Sequence, residues 1–277
     1  MRKRGLRGYV GKVNMDANCP DYLIENSEDS IAETIKFYND NKDNDDVKPI
    51  ITPRFVPSCT AKTLEGLGKI AKQHHAPIQS HVNETINEIK WVKQLYPDYA
   101  NYTAVYDENN LLNDKTIMAH CIHMKEEEIK LFTDKSVFAC HCPQSNANLS
   151  SGIMPVKNWI KRGIKVGLGT DVSGGNDTSI LKTVVLAIQL SRIRYHNDES
   201  EGYMSLAEAF YLATKGGGSY FGKVGSFETG YEFDALVIDD KSISMRDDVD
   251  ILDRLSRFIY SGDDRNIETR YIFGKEV

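Results

Sequence analysis

A chain of 277 residues with 40 % hydrophobic content can bury a sizeable core, which excludes a disordered chain and leaves room for one α/β domain or two small ones. A net charge of −6 excludes a nucleic-acid footprint, which needs clustered basic residues. No run of about 18 apolar residues occurs, so no segment is expected to span a membrane, and the cluster MRKRGLR is too short and too polar for a signal peptide.

The predicted elements alternate. RGYVGKV (7–13) reads as a strand, and SEDSIAETIKFYND reads as a helix that starts at Ser27 with an acidic first turn. NDNKDNDD (39–46) lacks the ligand order of a calcium loop and reads as a solvated connection. VKPIITP (47–53) is the next strand, followed by a helix, TAKTLEGLGKIAKQ, that sets Leu64, Leu67, Ile70 and Ala71 on one face. APIQSH (76–81), KTIMAH (115–120), SVFACH (136–141) and KVGLGTD (165–171) are further strands, with helices at MKEEEIKLFTDK and at MPVKNWIKRG, the latter carrying Pro155 near its first turn. The strands are apolar with little alternation, as parallel strands covered on both faces require. Beyond about Phe221 the pattern changes to turns and short β runs, GSFETGYEFDALVID and ETRYIFGKEV.

This order predicts a parallel α/β architecture, either a (β/α) barrel or an open doubly wound sheet. The absence of G-x-G-x-x-G and Walker A motifs weakens the open nucleotide-binding form. The expected division is a barrel-type region at 1–222 and a small C-terminal β appendage at 223–277. The five cysteines (Cys19, Cys59, Cys121, Cys140, Cys142) are odd in number and contain no C-x-x-C pair, which fits reduced thiols and a cytoplasmic location. Cys140-His141-Cys142 has no second ligand pair at finger spacing.

In a parallel barrel the functional groups sit at the carboxyl ends of the strands. Here five successive strands end in such groups: Arg54, His81 with Glu84, His120, His141 and Asp171. Singly, each has a plainer explanation: a surface ion pair for Arg54, a packed core histidine for His120, a helix cap for Asp171. Together they describe a lined mouth. Two imidazoles and a carboxylate suit zinc, which brings the pKa of a ligated water towards ~7. Glu84, three residues past His81, can carry a proton without binding metal. Arg54 followed by Phe55 offers a planar cation beside a stacking face, suited to a flat heteroaromatic ring.

TPRF, QSHVNE, MAHC, HCPQSNANLSSG, VGLGTDVSGG and GDDRNIE together resemble the guanine deaminases of the amidohydrolase superfamily, over essentially the whole chain. SH-x-x-E and GTD are superfamily-wide; the others are narrower. The resemblance implies an amidohydrolase-type (β/α) barrel and a zinc hydrolase that converts guanine to xanthine and ammonia in purine catabolism. It assigns zinc to His81 and Asp171, with His120 beside the metal and able to join it. It gives Arg54 and Phe55 the purine, with His81, Glu84 and Asp171 also lining the substrate site. Glu84, Asp171 and His120 become the catalytic groups: Glu84 as proton shuttle, Asp171 as acceptor of the water proton, His120 orienting water or substrate. His141 is left structural, hydrogen-bonded near the pocket. A homodimer is also implied.

The sequence departs from that family in one respect. No His-x-His pair occurs anywhere; the nearest histidines are the adjacent His74 and His75, on a predicted helix. About six βα units can be counted where a closed barrel has eight. The expectation is therefore an incomplete barrel, lacking the front two units and the N-terminal half of the β appendage, with weak metal binding and little or no deamination on its own. Two alternatives stand beside guanine: another amidohydrolase acting on a different ring, and a non-catalytic remnant that binds purine or docks on an intact subunit. The H-x-E and P-C-x-x-C signature of the unrelated cytidine-deaminase fold is absent.

Overall fold

The computed structural model describes residues 5–243 and 249–277, so the first four residues of the MRKRGLR cluster lie outside the described residues. The strands are β1 (Gly8–Val10), β2 (Val13–Asn14), β3 (Val47–Pro49), β4 (Thr52–Pro53), β5 (Ile78–Val82), β6 (Thr116–His120), β7 (Phe138–His141), β8 (Lys165–Leu168), β9 (Ala235–Ile238), β10 (Ile267–Ile272) and β11 (Lys275–Glu276). The helices are α1 (Ser27–Asn41), α2 (Ala61–His74), α3 (Ile86–Leu95), α4 (Tyr102–Glu108), α5 (Glu126–Lys135), α6 (Pro143–Asn148), α7 (Val156–Lys161), α8 (Ile180–Asn197), α9 (Leu206–Tyr211) and α10 (Ile251–Ser261). The chain forms two compact units: Met1–His141 with Trp159–Lys165, and Cys142–Asn158 with Val166–Val277.

In the first unit every strand pairing is parallel. β1 pairs with β3 and β2 with β4; Ile51 bridges to Ile78; β5 pairs with β6 and β6 with β7. Two strands expected as single runs, 7–13 and 47–53, are each broken in the middle. The break follows from a close approach: a Cβ on Gly11 would lie 2.0 Å from Thr52 Oγ1 and 2.3 Å from the Ile50 carbonyl oxygen. Helix α1 begins at Ser27 as its sequence predicts, and the cap is Asn26, whose side chain accepts from the Glu28 and Asp29 amides. On α2 the face predicted from spacing is the buried one, with Leu64, Leu67, Ile70 and Ala71 all inside. Ile51, Ile78, Val82, Met118 and Phe132 are buried as well, as a parallel sheet covered by crossover helices requires. Helices α3 and α4, which the sequence reading left unassigned, are capped by Thr85 and Asn101 through bonds to the Glu88 and Ala104 amides.

In the second unit Val184, Ile188, Ala209 and Ile259 form a buried cluster, with Leu168, Leu181, Val185, Leu206, Phe210, Ala213 and Leu255 packed around it. This cluster draws on α8, α9 and α10. β9, β10 and β11 make an antiparallel three-stranded sheet in the order β11-β10-β9. The tail is not wholly β as expected: α10 lies between β9 and β10 and sends Phe258 and Ile259 into the core.

Candidate active site

The first unit brings together five of the residues singled out from sequence. β4 ends in Pro53, and Arg54 and Phe55 follow it, the Arg54 guanidinium 4.9 Å from the centre of the Phe55 ring. Phe55 in turn meets Trp91 of α3 edge-on at 6.1 Å and His81 of β5 at 6.4 Å. The imidazoles of His81 and His120 stack with centroids 5.2 Å apart and planes 26° from parallel. Glu84, in the turn after β5, places Oε2 3.5 Å from His120 Nε2. His120, the last residue of β6, is 1 % exposed.

Several groups hold this arrangement. The Nδ1 of His81 lies 2.7 Å from the Arg54 carbonyl oxygen. That contact makes Nδ1 the protonated nitrogen and Nε2 the basic one, the tautomer a metal ligand needs. From α4, Tyr106 donates to the His81 carbonyl at 2.8 Å, and its oxygen lies 2.7 Å from Ser80 Oγ, which donates to the Pro53 carbonyl at 2.8 Å. Asn83, His120 and Cys121 all have left-handed backbones, with φ of 52°, 72° and 50°. For residues other than glycine such conformations persist only where the surroundings over-determine them, and they concentrate at functional sites.

Burial dominates the electrostatics. His141, at the end of β7, is pushed down to about 3 by burial and by His120 beside it, so it stays a neutral imidazole. Its Nδ1 has no hydrogen-bond partner among the described residues. Glu88, in the first turn of α3 and four residues past Glu84, is pushed up to about 7 by burial; the Tyr102 hydroxyl opposes the rise and the charge of Glu84 adds to it.

Asp171 belongs to the second unit, three residues beyond the end of β8. Its φ is 48°, and its carbonyl accepts the Gly175 amide at 2.6 Å. Gly175 has to be glycine here, because a Cβ would lie 2.0 Å from the Thr170 carbonyl oxygen. Helix α6 braces this turn: Asn148 donates to the Gly174 carbonyl at 2.9 Å, and Gln144 accepts the Asp177 amide at 3.2 Å. Asn148 and Gln144 were not singled out from the sequence, although both lie in HCPQSNANLSSG, and Asn83 was passed over within QSHVNE; Trp91 and Tyr106 were missed because no local pattern marks them.

Imidazoles are donors of the kind zinc takes, and the Arg54 carbonyl fixes in His81 the tautomer that leaves Nε2 with a free lone pair.

The profile of the Amidohydrolase family matches residues 1–277. The chain is 44 % identical over 290 residues to guanine deaminase from Mus musculus, covering 99 % of this chain and 64 % of that protein. It is 32 % identical to guanine deaminase from Escherichia coli, covering 98 % of this chain and 63 % of that one. Among solved structures, guanine deaminase from C. acetobutylicum with guanine bound in its active site superposes with a TM-score of 0.96 at 50 % identity, over 99 % of this chain and 66 % of that one. The likeness shows a TIM-type α/β fold, and the chain spans just under two thirds of the length of these relatives.

Proposed function

We infer, for a chain that belongs to the amidohydrolase family, that its chemistry is the zinc-dependent hydrolytic deamination of guanine to xanthine and ammonia. The observation that carries this reading is the Glu84 carboxylate 3.5 Å from His120, beside a His81 ring whose tautomer is set by the Arg54 carbonyl. The identity to guanine deaminases supports the choice of ring.

His81 and His120 would hold the ion, with Asp171 as the carboxylate ligand. Bound there, zinc supplies the Lewis acidity that makes water a nucleophile near neutral pH. Arg54 and Phe55 hold the purine, the guanidinium by hydrogen bonding and the ring by stacking. Glu84 delivers a proton to a ring nitrogen, which makes the amine-bearing carbon electrophilic; Asp171 takes the proton released by the attacking water. Asp171 would then pass that proton to the exocyclic amine, the carbon–nitrogen bond breaks, nitrogen leaves as ammonia, and Glu84 takes back the proton of the added hydroxyl as the carbonyl of xanthine forms.

The sequence contains no His-x-His pair, so the ligand set in this chain is thin. We read the chain as a barrel-type region at 1–222, about six βα units, with an appendage at 223–277, and we expect weak zinc binding and low turnover when it acts alone. A cytoplasmic location fits its free cysteines, and among the described residues no helix is long and apolar enough to cross a membrane. We further expect a homodimer, which light scattering after gel filtration would detect.

The test is a substrate panel with zinc supplied: guanine, adenosine, cytosine and a triazine, read by xanthine, ammonia and ring products, alongside metal analysis. Slow xanthine release with a substoichiometric metal content is expected. Turnover of another ring in preference to guanine would overturn the substrate, and a full zinc equivalent with ordinary turnover would overturn the thin-shell reading.

A further inference from the structure

Between His81 and Glu84 lies a residue with no assigned role. Asn83 is 0 % exposed, and its left-handed backbone turns the chain at the end of β5. Its carbonyl accepts two amides from the turn that follows β6, Ile122 N and His123 N, each at 3.1 Å, while the Val82 carbonyl accepts Cys121 N at 3.1 Å. Three consecutive amides just past His120 are thus laced onto the two residues between His81 and Glu84. The spacing of Glu84 from His120 depends on this lacing, because each is at most a few residues from it.

What keeps Asn83 in that conformation is a buried carboxylate. The Asn83 side chain donates to Glu128 Oε1 at 2.8 Å. Glu128, on the first turn of α5, is 2 % exposed and also accepts Thr103 Oγ1 at 2.9 Å, Thr103 N at 3.2 Å and, on Oε2, Lys125 N at 3.0 Å. All four donors are neutral, so the carboxylate draws its solvation from oriented amides and a hydroxyl. Part of this is ordinary helix capping: the side chain of Glu128, at the third helical position, accepts the N-cap amide of Lys125, the half of a capping box that glutamine fills as well as glutamate. The bond to Asn83 is different, since it reaches 45 residues back in sequence to the site.

We propose that Glu128 is a positioning residue: through Asn83 it fixes how the His81–Glu84 turn faces His120. This rests on reading His81, Glu84 and His120 as one site, and it makes no demand on which ring is the substrate. Glu128→Gln leaves an acceptor for Lys125 N but turns an amide N–H toward the donors of Asn83 and Thr103. Adding Asn83→Asp reverses the pair, so that the new carboxylate accepts from the new amide; aspartate also tolerates the left-handed backbone.

The experiment measures amide hydrogen exchange in the full chain together with Zn²⁺ affinity by competition with a chelating dye. In Glu128→Gln, exchange at Ile122 and His123 should accelerate while the β5–β6 ladder amides hold, and Zn²⁺ affinity should fall about tenfold, the usual scale for losing a group that orients a ligand. The double variant Asn83→Asp/Glu128→Gln should recover most of both. Thr103→Val, which removes the hydroxyl's bond to Glu128 and its longer 3.5 Å contact with Asn83 Nδ2 but leaves the Asn83–Glu128 bond, controls for general loss of stability and should change neither reading. Unchanged exchange and affinity in Glu128→Gln, absence of recovery in the double variant, or an equal effect from Thr103→Val would each overturn the proposal. Failure of the guanine reading would appear separately, as missing xanthine from the unaltered chain.

Discussion

Asp16 and Thr60 face each other through two hydrogen bonds, Thr60 N to Oδ1 at 2.7 Å and Thr60 Oγ1 to Oδ2 at 2.6 Å. Ser27 and Thr63 add theirs to Oδ2 at 2.5 and 2.7 Å, so one carboxylate ties the first turns of α1 and α2 together. Negative charge at two helix N-termini is also favoured by their dipoles. Burial alone would push this carboxyl up; the four hydrogen bonds outweigh it and hold it below the usual range. A depressed carboxylate stabilises the fold above its unfolded-state pKa, and that contribution is lost as pH falls through the folded value. Asp16→Asn should therefore cost about 2 kcal/mol at neutral pH, the low end for charged hydrogen bonds because the group is partly solvated. Urea unfolding across pH should show the gap between the two proteins closing below about pH 4.

Glu88 works in the opposite sense. Its carboxyl is raised to about 7, so the stability belonging to its protonated form is complete below the unfolded-state pKa and lost as pH rises through 7. Glu88→Gln should remove that slope and make the variant more stable than the parent at pH 8 by up to roughly 3 kcal/mol, with little difference at acidic pH. Denaturation midpoints at the two ends of that range decide it.

Glu84 and His81 separate proton transfer from metal binding. Glu84→Gln should retain zinc and lose about 10²–10⁴ in turnover, the range for a positioned general acid–base. His81→Ala should lose zinc together with turnover. Metal content measured beside xanthine release distinguishes the two; zinc retained in His81→Ala would remove that residue from the ligand set.

Arg54 stands over Phe55 with its guanidinium 4.9 Å from the ring centre. Arg54→Lys keeps the charge and loses the planar fork, so the expected change is a rise in KM for guanine of about tenfold, with a smaller change in kcat. Steady-state kinetics with zinc supplied would show it, and an equal fall in kcat would point instead to a group that acts on the reacting atoms.

Much of this was legible in the residues. The strands at 76–81, 115–120 and 136–141 announce themselves as short, mainly apolar runs with little polar alternation, and each ends in a histidine at the carboxyl end of its strand. The α2 face was readable because Leu64, Leu67, Ile70 and Ala71 repeat at helical spacing. The interruptions at Gly11 and between β3 and β4 were not, since they arise from contacts between segments some 40 residues apart. The helix within the C-terminal tail was missed because its neighbours on both sides carry β patterns, and its apolar stripe gains meaning only against α8.

Residue order by itself determined the kinds of group present and their places at strand ends: Arg54, His81, Glu84, His120 and Asp171 follow from local periodicity, which needs no partner to be read. Tertiary structure alone decided their working geometry. The left-handed turns at Asn83 and His120, the fixed tautomer of His81, the neutral state of His141 and the buried Glu128 behind Asn83 all depend on atoms brought from distant parts of the chain. Hydrogen bonds and burial act through space, so a one-dimensional pattern specifies the donors and acceptors without specifying which of them meet.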